Sequence, residues 1–295
     1  MKLQFSGHDS FICKHFWLKK GYDFMQKGDK TFNDELAVVD LGVGKNMVTA
    51  INYWLKAYGI TDSNNQLTKF GDLLFHERNG VDQYLEDLGS IWLLNYSLIK
   101  CNKASIYNLF FNEFRKDKFN FTKDQLSNFL LRKLEDNDQN NIKVNTVNSD
   151  ITVFIRNYLK PGARNKKTDI EDEFSNLFID LQLMETYQSE NAEDKIVEWF
   201  KVENDLRADL PALVVLFTIL DHESYGDSIS FKELLTGLNS PGSVFALNEE
   251  GLYSKIEQIQ SMYPEIIYTE SAGIRELQFK SKPNKWKVLD EYYKA

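Results

Sequence analysis

A set of lysine, asparagine and threonine residues between positions 45 and 69 has the clearest binding chemistry in the chain. Lysine ammonium groups pair with phosphates, and amide or hydroxyl side chains hydrogen-bond to phosphates or base edges. Most of them fall at helical spacing, so one helix face would present them together. We predict that this face contacts double-stranded DNA, with Asn46 at an adenine edge. The predicted DNA-binding residues are Lys45, Asn46, Thr49, Asn52, Lys56 and Lys69.

The same stretch contains Gly-Val-Gly-Lys at 42–45, which could be taken for a phosphate-binding P-loop. A P-loop requires a glycine five residues before the Gly-Lys pair and a serine or threonine directly after the lysine. This chain has Val39 and Asn46 at those positions. The sequence therefore argues against nucleotide binding at this turn.

A helix-turn-helix over residues 36–60 would position the predicted DNA-binding residues. A short apolar helix leads into a glycine-containing turn at 41–44, and a second helix places Val48 and Trp54 on a shared face. Gly59 is expected to end that helix in a left-handed conformation. An ordinary corner of two helices that packs a core has the same pattern. DNA contact and plain core packing both stay open on this pattern.

Catalytic chemistry has few candidates. His8 and Asp9 could form a metal-binding or acid/base pair, and His8, Cys13 and His15 could be seen as a metal cluster. Their spacing matches no standard zinc pattern. No nucleophile elbow or Rossmann glycine pattern is present. Residues 5–25 are expected to begin with a turn at Ser6-Gly7 and to continue as a helix, in which these polar groups are buried or cap the helix. We therefore expect no catalytic residues, metal or cofactor, and no enzyme activity.

Bulk composition limits the function classes. The chain has 295 residues and a net charge of −9, which argues against a protein that coats DNA indiscriminately. Residues 1–70 hold nine Lys/Arg against seven Asp/Glu, or +2, so the remaining 225 residues hold 26 against 37, or −11. A mildly positive N-terminal module on an acidic body fits local DNA contact and fits a protein–protein role equally well.

Localisation follows from what the sequence lacks. No apolar run approaches the roughly 20 residues that a membrane-spanning helix needs. The first residues lack the apolar core of a signal peptide. Cys13 and Cys101 are too far apart in sequence to indicate a disulfide scaffold. We expect a cytoplasmic protein without a membrane partner.

The predicted fold class is mainly α with small β wings, in three parts. Residues 1–80 are predicted to form a winged helix-turn-helix, 81–160 a helical domain, and 161–295 a helical region with a C-terminal winged-helix-like module. A basic Pro/Gly-containing segment at 160–167 is the preferred linker. Within the last part we expect helices over 169–187, 191–202, 211–220 and 248–263, a turn in NSPGSVF, and strands over 265–271 and 274–279.

The second helix of the C-terminal module differs in charge from the N-terminal one. Glu249, Glu250 and Glu257 fall on its exposed side and would repel DNA phosphate. We therefore interpret this module as structural or partner-binding. The basic segment at 280–287 is the one feature that would reverse this interpretation.

Several short segments, in this order and spacing, resemble the family filed as domain of unknown function 4007, most strongly over residues 3–115. The resemblance implies a bacterial or archaeal protein, encoded beside phosphoadenosine-phosphosulfate-reductase-like proteins in neighbourhoods linked to DNA phosphorothioation and antiviral defence. It transfers no catalytic residues. The segments are FSGHDSF (5–11), Trp17-Leu18, LGVGKNMVTAINYW (41–54), YLED (84–87), IWLL (91–94) and FNEF (111–114).

Two functions are compatible with these observations. The first is a DNA-binding accessory subunit of a prokaryotic DNA-modification (phosphorothioation-type) or anti-phage defence system. The second is an adaptor without DNA contact, which docks a phosphoadenosine-phosphosulfate-reductase-like partner through an acidic or aromatic surface.

Overall fold

The computed structural model describes residues 2–28, 30–160, 176–190 and 194–294. The chain divides into two compact units, Met1–Val202 and Glu203–Ala295. The sequence-based division instead places boundaries after residues 80 and 160. Apart from Lys160, the predicted linker lies outside the described residues, as does the first part of the helix expected over 169–187.

The first unit is mainly helical. Its helices begin at side-chain caps in several places. In the sequence, Thr122 and Gln125 have the spacing that predicts a capping box, and this box is present in full at the start of α8. A π-helical segment, Phe110–Phe114, continues α6, and a 3-10 turn covers Ile179–Leu181. The helices are α1 Trp17–Gln26, α2 Ala37–Leu41, α3 Lys45–Ala57, α4 Lys69–Phe75, α5 Leu88–Cys101, α6 Ser105–Leu109, α7 Arg115–Asp117, α8 Lys123–Asp136 and α9 Val144–Tyr158.

Aromatic side chains make up much of the core of this unit. Trp54 of α3 meets Tyr58 at 5.7 Å and Tyr107 of α6 at 6.4 Å between ring centroids. Tyr158 of α9 stacks on Phe178 at 5.1 Å, and its hydroxyl donates to Asn95 Oδ1 of α5 at 2.7 Å. Large rings bury much apolar area, and their polar atoms need partners when buried. This cluster therefore ties α3, α5, α6 and α9 to one another.

The helix expected over 191–202 is wrong, because the described part of that stretch is a strand. Strands β1 Asn120–Phe121, β2 Glu185–Glu190 and β3 Ile196–Lys201 form an antiparallel sheet in the order β1-β3-β2. Tyr187 lies opposite Trp199, and Phe121 lies opposite the buried Phe200. Such cross-strand aromatic pairs stabilise a sheet. These pairs explain why residues 196–201 form a strand and not an amphipathic helix. They also explain why the end of the helix expected over 169–187 belongs to strand β2.

The N-terminal segment also differs from its prediction. The sequence predicts a turn at Ser6-Gly7 and a helix after it up to residue 25, but α1 begins only at Trp17. Positive φ values at Ser6, Gly7, Asp9 and Ser10 are incompatible with a right-handed helix. These residues form an irregular loop instead.

The second unit combines helices with a second three-stranded antiparallel sheet, in the order β4-β6-β5. The predicted helices over 211–220 and 248–263 and the two predicted strands are confirmed. The expected turn in NSPGSVF instead contains a short helix, because Ser240 caps it and Pro241 occupies its first position. The elements are α10 Ala212–Asp221, β4 Ser228–Ser230, α11 Phe231–Thr236, α12 Pro241–Val244, α13 Glu249–Met262, β5 Ile266–Ser271, β6 Ile274–Phe279 and α14 Lys285–Tyr292.

The basic segment 280–287 makes two ion pairs within its own unit. Lys282 Nζ lies 3.6 Å from Asp227, and Lys285 Nζ lies 2.5 Å from Asp221. Asn284 accepts hydrogen bonds from backbone amides at the start of α14. Half of the lysines in this segment are therefore partly neutralised by neighbouring carboxylates.

The predicted class, mainly helical with small β elements, is confirmed. Its finer part, the winged-helix modules, stays a prediction. Within the described residues up to position 80, strand pairing consists of two isolated bridges, Thr61–Leu67 and Lys14–Asn176. No helix in the described ranges is long and apolar enough to cross a membrane.

Candidate nucleic-acid interface

Helix α3 carries five of the six predicted DNA-binding residues, and two glycines define its start. Gly42 ends α2 with φ of 60°, a left-handed conformation that glycine adopts at little cost. Gly44 is extended and directly precedes Lys45, the first residue of α3. The predicted short helix, glycine turn and longer helix are all present at these positions.

The inner face of α3 is fixed by close packing on α1. Ile51, Trp54 and Leu55 are fully buried. Gly21 of α1 lies against this face, and a Cβ atom added there would come within 2.8 Å of the Ile51 and Leu55 side chains. Because glycine lacks that atom, the two helices can approach closely. This contact determines which residues of α3 face solvent.

The outer face of α3 presents the predicted residues unequally. Lys45, Asn46 and Thr49 are exposed, whereas Asn52 and Lys56 are partly buried. The Asn52 Oδ1 atom is enclosed and has no hydrogen-bond partner. Lys45 and Lys56 are separated by about 16 Å along the helix, at 1.5 Å per residue. The structure therefore groups Lys45, Asn46 and Thr49 near the start of α3.

Lys69 lies apart from that group. It is exposed at the first position of α4. The preceding Thr68 donates its hydroxyl to the Gly59 carbonyl oxygen at 2.6 Å, just beyond the end of α3. Lys69 therefore lies on the side of Lys56, at the opposite end of α3 from Lys45.

The start of α3 is suited to an anion. Its first turn contains no acidic residue, and no side chain caps its first amide groups. Asp40, near the end of α2, is paired with Lys30 at 2.6 Å, which offsets its charge. Free amides and the helix dipole favour a phosphate at such a position, and Lys45 adds a full positive charge.

Residues 6–11 form a loop with positive φ angles, which packs against α3 and holds it in place. His8 is buried, and its Nδ1 atom accepts a hydrogen bond from the Ser10 amide at 3.1 Å. Its Nε2 atom must then carry the proton, which it donates to Asp150 Oδ1 of α9 at 3.2 Å. The Ser6 amide donates to the same carboxylate at 3.0 and 3.1 Å.

The same loop contacts two aromatic residues of α3. The His8 ring stacks on Trp54 with centroids 5.8 Å apart, and the Trp54 indole donates to the Phe11 carbonyl at 3.1 Å. Gly7 has φ of 103°, and a Cβ atom added to it would lie 2.6 Å from the Tyr53 ring. The FSGHDSF and LGVGKNMVTAINYW segments thus form a single packed contact, which positions α3.

The possible metal cluster of His8, Cys13 and His15 does not form. His15 Nε2 lies 2.6 Å from the Tyr84 carbonyl oxygen, whereas His8 is committed to Asp150. Cys13 is buried, and burial raises the pKa of its thiol well above the usual value. Across the described ranges, no three His, Cys, Asp or Glu side chains are grouped to hold a metal ion.

Asp150 is the residue of this site that the sequence pattern did not single out. It lies on α9 among Val147, Ile151 and Phe154, all buried. A carboxylate on the apolar face of an amphipathic helix requires a buried partner. An acidic residue on the apolar face of a predicted helix therefore indicated a buried polar contact, but the sequence alone did not show that His8 is its partner.

An open groove of about 880 Å³ adjoins Tyr53. Its walls are the N-terminal segment 2–7 and the loop around residues 137–142. Gln139 pairs with both backbone groups of Leu3, at 2.6 Å to the amide and 2.9 Å to the carbonyl. The amide side chains of Asn137 and Asn141 also line the groove. None of the six predicted DNA-binding residues lines this groove.

Residues 5–293 match the family model described as protein of unknown function, DUF4007. The chain belongs to this family. The match covers nearly the whole chain, so the resemblance carried by the N-terminal segments extends through both units. The comparison with curated proteins gave no match.

Two solved structures are similar over 99% of the chain. One is described as a magnesium ion-bound SspB crystal structure, with 27% identity, a TM-score of 0.83 and 88% of that chain covered. The other is described as an SspB crystal structure, with 28% identity, a TM-score of 0.81 and the same coverage. The first of these proteins binds magnesium.

Proposed function

We propose that this protein is a DNA-binding accessory subunit of a phosphorothioation-type DNA-modification or anti-phage defence system, and not an enzyme. The observation that carries the proposal is the exposed start of α3. Lys45, Asn46 and Thr49 project there from a helix turn that lacks acids and a side-chain cap. Phosphate contacts would position the helix, and Asn46 would contact a base edge.

Each predicted residue has a role in this proposal. Lys45 and the free amides of α3 bind one phosphate, and Thr49 and Asn52 continue the contact along the helix. Lys56 and Lys69 bind phosphates about one helix length away. The two sites together span about 16 Å, within the reach of one face of a duplex. The system to which the protein belongs is inferred from the gene neighbourhoods that the family resemblance implies.

The winged-helix description is part of the same proposal. In the second unit, a helix, a short strand, helices and a two-stranded hairpin follow one another, and the strands form one antiparallel sheet. This order is typical of winged-helix modules. In the first unit, the Thr61–Leu67 bridge closes a small loop after α3 that takes the place of a wing.

The test is duplex DNA binding over a salt series with wild type and Lys45→Glu. We expect the wild-type affinity to fall steeply with salt, and Lys45→Glu to abolish binding without unfolding the protein. Lys143→Glu is the matched control, because Lys143 is exposed on the same unit and an acid at the start of α9 is well tolerated. A folded Lys45→Glu protein with undiminished binding would refute the assignment.

The second candidate is an adaptor that docks a phosphoadenosine-phosphosulfate-reductase-like protein without touching DNA. The charge of the second unit favours it, since residues 203–295 hold nine Lys/Arg against fifteen Asp/Glu, or −6. This candidate predicts a stable complex on co-expression and no salt-sensitive DNA retention. Failure to co-purify with any neighbourhood-encoded protein would count against it.

A further inference from the structure

A pocket of about 270 Å³ opens on the first unit beside the exposed side of α1. Phe16, Lys20 and Lys27 line it from α1 and the residue before it, and Phe24 and Leu41 add apolar atoms to its wall. Lys20 and Lys27 are close to two helical turns apart, so both face the same side of α1. We call this cavity the α1 pocket, and it contains no residue from the predicted DNA-binding set.

The apolar wall of the α1 pocket is continuous with a small core. Phe24 of α1 and Leu41 of α2 are buried in one cluster with Ala37 and Val48. The Phe24 ring also lies 5.0 Å from the Phe32 ring between centroids. Because this cluster joins α1, α2 and α3, it fixes the distance between the helices that line the pocket.

The charged side chains of the α1 pocket leave an excess of positive charge. Three lysines and two aspartates line it. Both aspartates already have partners, since Asp23 pairs with Lys19 and Asp40 pairs with Lys30, each at 2.6 Å. The other two lysines of the lining are exposed and take part in no ion pair within the part of the chain that the structure describes. Two ammonium groups are therefore available to an anionic ligand.

Exposed apolar groups accompany these lysines. Phe16 is 61% exposed, and its ring meets the His15 ring edge-on, with centroids 5.1 Å apart. Leu36 is also 61% exposed, and it lies one turn before Asp40 on the same side of α2. Large apolar side chains within a polar rim are typical of protein–protein interfaces. The surface around the pocket therefore suits a ligand that carries both carboxylates and an apolar group.

A polypeptide fits this surface better than a nucleic-acid backbone does. Phosphates could pair with the two lysines, but a DNA backbone has no apolar group that would cover Phe16. Acidic residues close to a leucine or phenylalanine provide both kinds of contact. Lys20 and Lys27 are about 10 Å apart along α1, and two residues three positions apart in an extended chain span the same distance of about 10 Å.

We propose that the α1 pocket docks an acidic segment of a partner polypeptide, which presents two carboxylates beside an apolar side chain. The carboxylates pair with Lys20 and Lys27, and the apolar side chain packs on the Phe16 ring. Opposite charges across the contact provide the specificity. The proposal goes beyond DNA contact at α3, because it assigns a second class of ligand to the same unit.

The experiment measures binding of a fluorescein-labelled peptide to the full chain by fluorescence anisotropy at low salt. The peptide contains Leu-Ala-Glu-Ala-Ala-Glu between glycine and serine residues. Since the chain has a net charge of −9, the protein as a whole repels an acidic peptide, which binds only where lysines are locally in excess. A second peptide with the same label and with glutamine at both glutamate positions should bind about tenfold more weakly.

The test variant is Lys20→Gln with Lys27→Gln, and we expect it to bind the acidic peptide about tenfold more weakly than wild type. The matched control is Lys118→Gln with Lys143→Gln, which removes the same charge from exposed lysines of the same unit outside the pocket. This control should bind the peptide like wild type.

Two charge-neutral variants test the apolar contact. Phe16→Ser should weaken peptide binding, and because serine is favoured at the position before a helix, α1 should remain intact. Val39→Ser removes a 74% exposed apolar side chain outside the pocket and should bind like wild type. Thermal unfolding of each variant checks that the first unit remains folded. Absence of peptide binding to wild type, equal weakening by the control pair, or unchanged binding by both the test variant and Phe16→Ser would overturn the proposal.

Duplex DNA binding by the same proteins separates this proposal from the proposed function. If Lys45→Glu loses DNA binding and keeps peptide binding, both assignments stand. If wild type binds the peptide and no DNA, the proposed function fails and the α1 pocket stands. If the substitutions at Lys20 and Lys27 abolish DNA binding and leave peptide binding unchanged, these lysines contact phosphate and the docking proposal fails.

Discussion

His8→Ala tests the buried contact that positions α3. The His8 side chain is 5% exposed and the Asp150 side chain 1%, with 3.2 Å between Nε2 and Oδ1. Removing the imidazole leaves the Asp150 carboxylate with the Ser6 amide as its remaining hydrogen-bond donor among the contacts described. The variant also loses the stack on Trp54.

The magnitude follows from these losses. A hydrogen bond from a neutral donor to a buried charged group contributes about 1.5–3 kcal/mol. Because the variant also loses the stack on Trp54, we expect a loss of about 3 kcal/mol in the free energy of unfolding. For a unit of this size, about 3 kcal/mol corresponds to a decrease in Tm of roughly 10 °C.

The assay is urea and thermal unfolding of His8→Ala beside Asp9→Asn. Asp9 is the adjacent residue, is exposed, and has φ of 45°, which asparagine tolerates. We expect Asp9→Asn to change stability by less than about 0.5 kcal/mol. A His8→Ala protein as stable as wild type would refute the role of His8 in supporting α3.

Two further predictions concern the same unit. Gly7→Ala should lower the free energy of unfolding by at least about 2 kcal/mol, because the new side chain has a positive φ and overlaps the Tyr53 ring. Gly42→Ala also has a positive φ, but its Cβ atom would lie in open space, so it should cost about 1 kcal/mol. Urea unfolding of both variants measures the difference. Stability should also fall as pH rises above 10, since burial raises several tyrosine pKa values in the folded state above the value of 10.0 that the unfolded chain retains. Below pH 10 this stabilisation is fully present, and above it each such tyrosine costs about 1.4 kcal/mol per pH unit. Tm measured from pH 9 to 11, with tyrosinate absorbance as the second signal, checks this; a constant Tm would contradict it. These tyrosines are Tyr53, Tyr58, Tyr107 and Tyr158.

Local patterns were sufficient where a segment's structure depends on its own residues. The 3.6-residue period of α3, the turn glycines before it and the capping box at Thr122 predicted those helices correctly. The alternation around Ala272 and Gly273 predicted β5 and β6, because both residues adopt the positive φ that a tight hairpin turn requires. The family was also recognisable from the N-terminal segments.

Long-range pairing was decided only by the tertiary structure. The stretch that contains β3 mixes charged and apolar residues in a way that suits a helix or a strand, and the Phe121–Phe200 pairing favours the strand. His8 could be seen as a metal or acid/base residue until its partner was known. That partner, Asp150, binds a loop 144 residues earlier in the chain at Ser6, a separation over which no local pattern carries information. The sequence by itself therefore determined the helices and hairpins that local propensity specifies. Burial and contacts between distant segments decided which polar residues are structural and which remain available for binding.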